Sequence, residues 1–374
     1  MTQTNPNTNP RILLLSGYDA ASHIQWRNSL IQNMPMFQWH VLSLPPRHFQ
    51  WRIRGNALSW LDHPYMKESW DLIIATSMVD LASVKGFHPH LAHVPCIYYV
   101  HENQFAFPLS RQQQANVEPQ MVNIFSALSA DFILFNSLWN QQSFIQGVTA
   151  LLQKLPDHVP QGVPQRLLSK SQVLPVPIAD ELFTSKCEGY NWSCPHIVWN
   201  HRWEYDKGPE RLLALLRALK QNNVIFRLSV VGEQFRKWPQ AFDEIKHEFS
   251  AVIENWGFME SRQAYNQLLK EADIVISTAL HDFQGLAMLE AMASGCIPLA
   301  PNRLAYPEYV AAECLYESHE ENIELEAQAA CTQLLAILAK QSPHAQPTDW
   351  SISALIPQYQ CVIRSLIHQR KRAE

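Results

Sequence analysis

A short apolar run, a glycine turn and a helix follow one another at residues 273–294, and this order limits how the chain can fold. Residues 273–278 have the composition of a buried strand, and residues 286–294 are predicted to form a helix that begins after Gly285. The backbone N–H groups at the start of such a helix have no internal partner, and the helix dipole is positive there. This position therefore favours an anion, above all a phosphate group.

Two carboxylates flank the predicted helix start, Asp282 in the loop before it and Glu290 within the helix. Because carboxylates repel phosphate, we expect them to accept hydrogen bonds from sugar or ribose hydroxyl groups beside it. A simpler interpretation stays open at this point. In it, Asp282 only caps a surface loop and Glu290 is a solvated helix residue.

The chain of 374 residues is longer than one ordinary domain, and 47% hydrophobic residues can supply two cores. Strand-like runs alternate with predicted helices in both halves, which indicates an α/β protein with doubly wound parallel sheets. Proline-broken residues 173–178 mark a domain boundary. We therefore expect a disordered tail at 1–10, domains at 11–178 and 179–350, and a C-terminal helix at 351–374 that could cross back to the first domain.

The composition argues against several classes of protein. No apolar run reaches membrane-spanning length, and the polar first residues lack the apolar segment of a secretion signal. Seven cysteines without a C-x-x-C pattern favour the reducing cytoplasm over a disulfide-rich exterior. The formal net charge of −5 does not indicate a nucleic-acid-binding protein, although a local basic face would be sufficient for one.

Polar side chains follow two predicted strands of the first domain. Ser22 and His23 lie where the loop after the strand at 11–17 becomes a helix, so they could help to hold an anion, although Ser22 could equally be a plain helix cap. His101 comes directly after the strand at 94–100. Because ligands bind at the carboxyl ends of strands in such sheets, His101 is a candidate active-site residue.

One segment of the first domain alternates arginine with aromatic residues. It could be an edge strand with one polar face. It could also be a surface on which arginines bind phosphates and aromatic rings stack on the unpaired bases of RNA. The candidate RNA-binding residues are Arg47, Phe49, Trp51, Arg52 and Arg54.

Two cations, Arg202 and Lys207, follow the first predicted strand of the second domain, and a later strand ends in Gly232 and Glu233. Positive charges in a strand-to-helix loop suit a diphosphate, which arginine can bind through two hydrogen bonds at once. Two exposed loop cations without such a role are the alternative.

Three groups of residues in the second domain resemble the signature of the retaining family-four glycosyltransferases of the GT-B fold: Arg202 with Lys207, residues 231–233, and Asp282 to Glu290. That signature has glutamate at both ends of its last element, and Asp282 is shorter by one methylene group. A closer resemblance, over nearly the whole chain, is to the tRNA-queuosine α-mannosyltransferases. The segments that carry it are residues 22–23, 44–45, 51–52, 99–104, 199–207, 231–235 and 281–290. The first loop departs from that family, since Ala20-Ala21 stands where Gly-Gly is expected.

This resemblance implies a GT-B fold, in which two Rossmann-like domains face each other across a cleft. The implied reaction moves mannose from GDP-mannose to the cyclopentene diol of queuosine in the anticodon of a tRNA, tRNA-Asp in the known cases, with retention. The first domain would bind the tRNA and the second the sugar nucleotide. The implied catalytic residues are His101, Arg202, Lys207, Asp282 and Glu290. The implied donor-binding residues are Ser22, His23, Gly232, Glu233, Phe283, Gln284, Gly285, Leu286 and Ala287.

No cofactor or metal ion is expected, because the two cations and the helix start could stabilise the charge of the leaving group. Other functions stay open: a family-four enzyme with a glycan or lipid acceptor, an inactive GT-B nucleotide-binding module, or a sugar-nucleotide epimerase. A membrane acceptor would favour a basic amphipathic stretch, and no convincing one is found in the sequence. The oligomeric state is not predicted.

Overall fold

Parallel strands alternate with helices throughout the computed structural model, which describes residues 9–106, 117–184, 186, 189–342 and 344–373. The chain divides into two units. Unit 1 combines Met1–Pro177 with Ile352–Glu374, and unit 2 is Ile178–Ser351. Each unit has its own six-stranded sheet and its own hydrophobic core.

The described residues of the first segment of unit 1 form six strands and six α-helices. The strands are β1 (Arg11–Ser16), β2 (Gln38–Ser43), β3 (Leu72–Thr76), β4 (Cys96–Val100), β5 (Phe132–Phe135) and β6 (Ser171–Val173). The helices are α1 (Ala21–Asn33), α2 (Phe49–Ser59), α3 (Leu81–Phe87), α4 (Glu118–Ser129), α5 (Leu138–Lys154) and α6 (Val163–Ser169). The sheet order is β2-β1-β3-β4-β5-β6, with all neighbours parallel. Its central strands β3 and β4 are buried along their whole length because both faces of a doubly wound sheet are covered.

Unit 2 repeats this architecture. Its strands are β7 (His196–Trp199), β8 (Arg227–Val231), β9 (Ile253–Gly257), β10 (Ile274–Ile276), β11 (Ile297–Pro301) and β12 (Leu315–Tyr316). Its helices are α7 (Pro209–Gln221), α8 (Ala241–Glu248), α9 (Arg262–Glu271), α10 (Leu286–Ala293) and α11 (Ile323–Lys340). The parallel sheet has the order β12-β11-β10-β7-β8-β9.

The C-terminal helix, α12 (Ile352–Ala373), belongs to unit 1. A buried hydroxyl group connects α12 to unit 1, since Tyr359 Oη accepts a hydrogen bond of 3.0 Å from Trp26 Nε1. The same hydroxyl lies 3.0 Å from Tyr99 Oη and 3.1 Å from Leu174 O. The end of the chain thus returns to the unit that contains its beginning. No helix in the described part of the chain has both the length and the apolar character to cross a membrane.

Two local expectations differ from the structure. Residues 1–8 of the predicted tail lie outside the described residues, but Pro10 is not part of a tail, because its carbonyl oxygen accepts a hydrogen bond of 2.8 Å from Gln38 N. The edge strand considered at 47–55 is wrong, since this segment enters helix α2. The buried residues Ile53, Ala57 and Trp60 have helical spacing, and burying them on one face outweighs the local alternation of polar and aromatic residues.

Candidate active site

The strand order of unit 2 reverses between β7 and β10, so the loops that leave these strands diverge at the carboxyl edge of the sheet. We call residues 200–208 the β7 loop and residues 277–285 the β10 loop. The two loops are joined by a backbone hydrogen bond of 2.8 Å from Leu280 N to Asp206 O. The cations and the carboxylate predicted from the sequence therefore meet where doubly wound sheets bind ligands.

Lys207 holds these loops together and is not an exposed cation. Its side chain is only 8% exposed, and its Nζ donates a hydrogen bond of 2.6 Å to His281 O. The same atom lies 3.4 Å from Asp206 Oδ2 and 3.5 Å from Asp282 Oδ2. Burial is the largest influence and opposes ionisation of both carboxyl groups, but the charge of Lys207 and smaller contributions from neighbouring groups, among them His281, together outweigh it. The pKa of each carboxyl therefore lies below its ordinary value. The alternative of two exposed loop cations is therefore wrong for Lys207.

Helix α10 starts at the predicted position. Gly285 has a φ of 80°, a left-handed conformation that glycine adopts freely. Its N–H donates a hydrogen bond of 2.9 Å to Asp282 Oδ1, so the carboxylate near Lys207 also closes the turn before the helix. Four neighbouring candidate residues are buried or half-buried: Phe283, Gln284, Leu286 and Ala287. The turn brings the unpaired N–H groups of the first helical turn to the β10 loop.

Glu290 is a buried ion-pair partner, which makes the alternative of a solvated helix residue wrong. It is 4% exposed and accepts a hydrogen bond of 2.6 Å at Oε1 from Arg262 Nη2. The second nitrogen, Nη1, lies 3.4 Å from Glu290 Oε2. Arg262 begins α9 and also lies over the ring of Tyr265, 5.2 Å from its centroid. This arrangement holds the Glu290 carboxylate in one orientation.

The ends of β7 and β8 approach each other closely at Gly232. A Cβ atom at this residue would lie 1.9 Å from His201 O, so only glycine fits. The exposed residue Glu233 follows, and its carbonyl oxygen accepts a hydrogen bond of 2.9 Å from Trp203 N. Arg202 has a side chain that is 49% exposed and an Nη1 3.1 Å from Glu204 Oε2. It is therefore the cation of the β7 loop that reaches solvent.

His201 is a buried neutral imidazole in the β7 loop. It is 3% exposed, and its Nε2 has no hydrogen-bond partner within the described part of the chain. Burial, assisted by the charge of Lys207, lowers its pKa to about 4. The folded protein therefore resists protonation of this ring at pH values where a free histidine would be charged.

This pKa predicts a pH-dependent stability that a His201→Gln variant should lack. Between pH 7 and pH 5 the unfolded chain binds a proton at His201 and the folded chain does not, so acidification favours unfolding. The wild type should lose about 2 kcal/mol of unfolding free energy over this range relative to the variant. Urea unfolding at both pH values measures the difference. Parallel losses in the two proteins would show that His201 titrates normally in the folded state.

In unit 1 the strand order reverses between β1 and β3, and the histidines predicted from the sequence meet at the carboxyl edge of these strands. His101 follows β4 and stacks on His23 of α1, with ring centroids 3.9 Å apart. His23 Nε2 lies 3.0 Å from Glu102 Oε2, and Glu102 Oε1 accepts a hydrogen bond of 3.1 Å from Ser77 Oγ. Burial, and then the neighbouring His23, place the pKa of His101 well below its ordinary value. The structure thus provides a neutral, fixed imidazole.

The remaining candidate residues of unit 1 lie at the starts of α1 and α2. Ser22 is half-buried within α1, whose N-cap is Ala20, so a capping role for Ser22 is wrong. The five candidate RNA-binding residues lie just before α2 or in its first two turns, and they have different exposures. Arg47, Trp51 and Arg54 are exposed, and Phe49 and Arg52 are intermediate.

Sequence reasoning missed several residues of these clusters, among them Glu102 and Arg262. Glu102 could have been found, because it directly follows His101 in a polar run at a strand end. Arg262 had no such signal, since it is 28 residues from Glu290 and pairs with it only through the tertiary fold. Within the described ranges, no group of three or more histidine, cysteine or acidic side chains could hold a metal ion.

Each unit of the chain contains a region that matches a known protein family. Residues 11–178 match a family model described as the N-terminal region of tRNA-queuosine alpha-mannosyltransferase, and residues 195–323 match the model for glycosyl transferases group 1. The tRNA-queuosine alpha-mannosyltransferase of Drosophila melanogaster is 35% identical over 317 residues, 83% of this chain and 84% of that protein. The chain belongs to the tRNA-queuosine α-mannosyltransferase family. The residue clusters of the candidate site lie within the residues that match these two models.

Solved structures similar to this tRNA-queuosine α-mannosyltransferase family member show its fold. Alr3699/HepE of Anabaena, in complex with UDP and glucose, has a TM-score of 0.62 and 15% identity, covering 95% of this chain and 100% of its own. Sucrose-phosphate synthase from Thermosynechococcus elongatus has a TM-score of 0.66 and 14% identity, covering 96% and 100%. Identities this low establish the fold alone, the two-domain α/β GT-B fold. The family match establishes that the chain is a glycosyltransferase.

Proposed function

We propose that the protein transfers mannose from GDP-mannose to the cyclopentene diol of queuosine in a tRNA anticodon, with tRNA-Asp as the expected acceptor. The observation that carries this proposal is the similarity to the Drosophila tRNA-queuosine alpha-mannosyltransferase, which extends over 84% of that relative. The family model for its N-terminal region matches most of unit 1 and supports the same type of acceptor. Because the acceptor is a tRNA, the proposed compartment is the cytoplasm.

In this proposal GDP-mannose binds at the β7 and β10 loops of unit 2. Arg202 and the N–H groups at the start of α10 would bind the diphosphate and stabilise the charge that develops on GDP. Asp282 would accept hydrogen bonds from the mannose, and Glu290 from the ribose. Lys207 adds positive charge and keeps Asp282 ionised and oriented. No metal ion is assigned a role.

The proposed transfer retains the α configuration of the donor. The acceptor oxygen would form its bond to mannose C1 on the face from which GDP departs, while the bond from C1 to the β-phosphate oxygen breaks. The proton of the acceptor hydroxyl would pass to the departing phosphate, so no protein general base is assigned. His101, which burial keeps neutral, would contact the sugar or align the acceptor.

An Arg202→Ala variant should lose about 10²- to 10³-fold in kcat, because it removes one donor to a developing negative charge. Its stability should stay within about 0.5 kcal/mol of the wild type, since the side chain is half exposed and its ion pair is at the surface. Initial rates of mannose transfer and urea unfolding measure the two quantities. Arg227→Ala is the matched control, because Arg227 is 41% exposed, pairs with Glu254 and begins β8 at the opposite edge of the sheet. Full turnover in the Arg202 variant would remove this residue from the phosphate site.

The donor is tested with the purified protein, queuosine-containing tRNA and radiolabelled sugar nucleotides. Label should pass to the tRNA from GDP-mannose and not from GDP-glucose or UDP-glucose. Transfer from another donor would overturn the assignment of GDP-mannose. Binding of GDP-mannose without transfer would favour a glycan or lipid acceptor, and binding without any turnover on a panel of acceptors would favour an inactive module.

A further inference from the structure

The start of α2 lies at the edge of unit 1 where the histidine cluster also lies. Helix α2 follows β2, and His101 follows β4 in the same parallel sheet. The carboxyl ends of parallel strands meet at one edge, so the first turn of α2 is close to the ligand-binding side of the sheet. The exposed side chains of this turn do not pack into the core of unit 1, so their presence needs another reason.

Two of the five candidate RNA-binding residues are already engaged by the fold. Phe49 packs beside Ile53 in a small apolar cluster and meets the ring of Tyr18 edge-on, with centroids 6.3 Å apart. Arg54 Nη1 lies 2.6 Å from Asp80 Oδ2, and its Nε lies 3.2 Å from Glu118 Oε1. These contacts stabilise α2 against its neighbours. Arg47, Trp51 and Arg52 are the three candidate residues that these contacts do not account for.

The indole of Trp51 packs against its own helix although the residue is 52% exposed. A Cβ atom at Gly55, one helical turn later, would lie 2.5, 2.6 and 2.7 Å from Cε2, Cδ2 and Cζ2 of the indole. Three ring atoms at nearly equal distance mean that one face of the indole lies flat on the helix at Gly55. Any larger residue at position 55 would push the ring away. The other face of the ring is left available to a partner, and little conformational entropy remains to be lost on binding.

The surroundings of this indole favour a negatively charged partner. Arg47 is exposed immediately before α2, and Arg52 follows Trp51. The first turn of α2 contains no acidic residue, and the side chain of His48 makes no capping hydrogen bond. The positive end of the helix dipole and Arg47 therefore lie at the same end of α2 as the exposed ring. An aromatic ring flanked by positive charge is the arrangement by which proteins bind single-stranded nucleic acid.

We infer that Trp51, seated on Gly55, is a stacking platform for an unpaired base of the acceptor tRNA, with Arg47 at an adjacent phosphate. This inference rests on the proposed function, which makes tRNA the acceptor. It also reduces the predicted RNA-binding set, because it assigns Phe49 and Arg54 to the fold and not to the RNA. An exposed tryptophan can also anchor a protein partner. The charge around Trp51 favours the nucleic acid.

The test measures the dissociation constant of the full-length protein for fluorescently labelled, queuosine-containing tRNA at several salt concentrations. Trp51→Ala should weaken binding about tenfold or more, because one stacked base is lost. Trp51→Phe should keep most of the affinity. Gly55→Ala should weaken binding as well, since the new methyl group displaces the indole while the exposed surface keeps its composition.

Salt dependence separates stacking from phosphate contacts. Arg47→Ala should reduce the slope of log Kd against log salt concentration by about 1, whereas Trp51→Ala should leave that slope unchanged. Phe87→Ala is the matched control: Phe87 is an aromatic residue of unit 1 with 47% exposure, at the end of α3 and so at the opposite edge of the sheet. It should leave tRNA binding unchanged.

Each outcome decides between the inference and the proposed function. Equal tRNA affinity in Trp51→Ala and the wild type would contradict the stacking role of Trp51. The proposed function would be unaffected if the protein still modifies the tRNA. Weak tRNA binding by Trp51→Ala but normal tRNA binding by Gly55→Ala would show that the contact with Gly55 does not position the indole for stacking. A wild type that binds GDP-mannose but not tRNA would overturn both. All variants should bind GDP-mannose normally and have the circular dichroism spectrum of the wild type. Loss of either property would show that Trp51 stabilises the fold and would contradict its role in stacking.

Discussion

Replacing Lys207 with methionine is expected to reduce mannose transfer about a thousandfold or more and to lower the free energy of unfolding by about 3–5 kcal/mol. The methionine would fill the space but leave Asp206 and Asp282 without the cation that lies between them. One carboxyl group would then take up a proton, or the β10 loop would move. Either change would disturb the turn that Asp282 closes through its hydrogen bond with Gly285 N. Initial rates and urea unfolding measure the two effects.

A second buried lysine of unit 2 is the matched control. Lys186 also has a side chain that is 8% exposed, and its Nζ lies 2.6 Å from Asp273 Oδ1 near the start of β10, at the edge of the sheet opposite the site. Lys186→Met should cost a similar unfolding free energy and leave the turnover of the folded protein unchanged. If both variants lose transfer equally under conditions where both are folded, the assigned role of Lys207 is contradicted.

Replacing Gly232 with alanine is expected to abolish donor binding and to lower the free energy of unfolding by about 2–5 kcal/mol. The residue has a φ of 152°, and its new Cβ would lie 1.9 Å from His201 O. The obstructing atom belongs to the backbone, so no side-chain rotation relieves the clash. The ends of β7 and β8 would have to separate, which would displace Arg202 from its position in the β7 loop. Calorimetric titration with GDP measures the loss.

Gly189→Ala is the control that separates the cost of a positive φ from the cost of the steric clash at residue 232. Gly189 has a positive φ of 74°, but a Cβ there would meet no atom of the described residues within 4 Å. Alanine at this position should therefore cost only about 1 kcal/mol and leave GDP binding unchanged. If Gly232→Ala bound GDP as tightly as the wild type, the close approach of β7 and β8 would have no part in the donor site.

The features that depend on local chemistry could be predicted from the sequence. Gly285 marks a helix start because few other residues adopt its backbone conformation, and α10 begins there. His101 follows a short apolar strand, and the structure places it at the end of β4. The GT-B fold followed from the resemblance to a family and is confirmed by the similar structures.

The features that depend on tertiary contacts could not be predicted. Lys207 looks like a surface residue in the sequence, and only the approach of the β10 loop shows that it is buried between carboxylates. The pairing of Glu290 with Arg262 likewise requires α9 and α10 to pack side by side. Helix α2 was missed because alternation over a few residues resembles a strand, while burial of Ile53 favours the helix. The roles assigned to these residues stay predictions.

The most direct test of the central claim compares two pools of tRNA that differ only in queuosine. The purified protein is incubated with radiolabelled GDP-mannose and bulk tRNA from cells grown with or without queuosine, and the tRNA is digested to nucleosides. We expect label in the queuosine-containing pool alone, in a nucleoside that is queuosine plus one hexose. Equal label in both pools, or no label in either while GDP-mannose still binds, would contradict it.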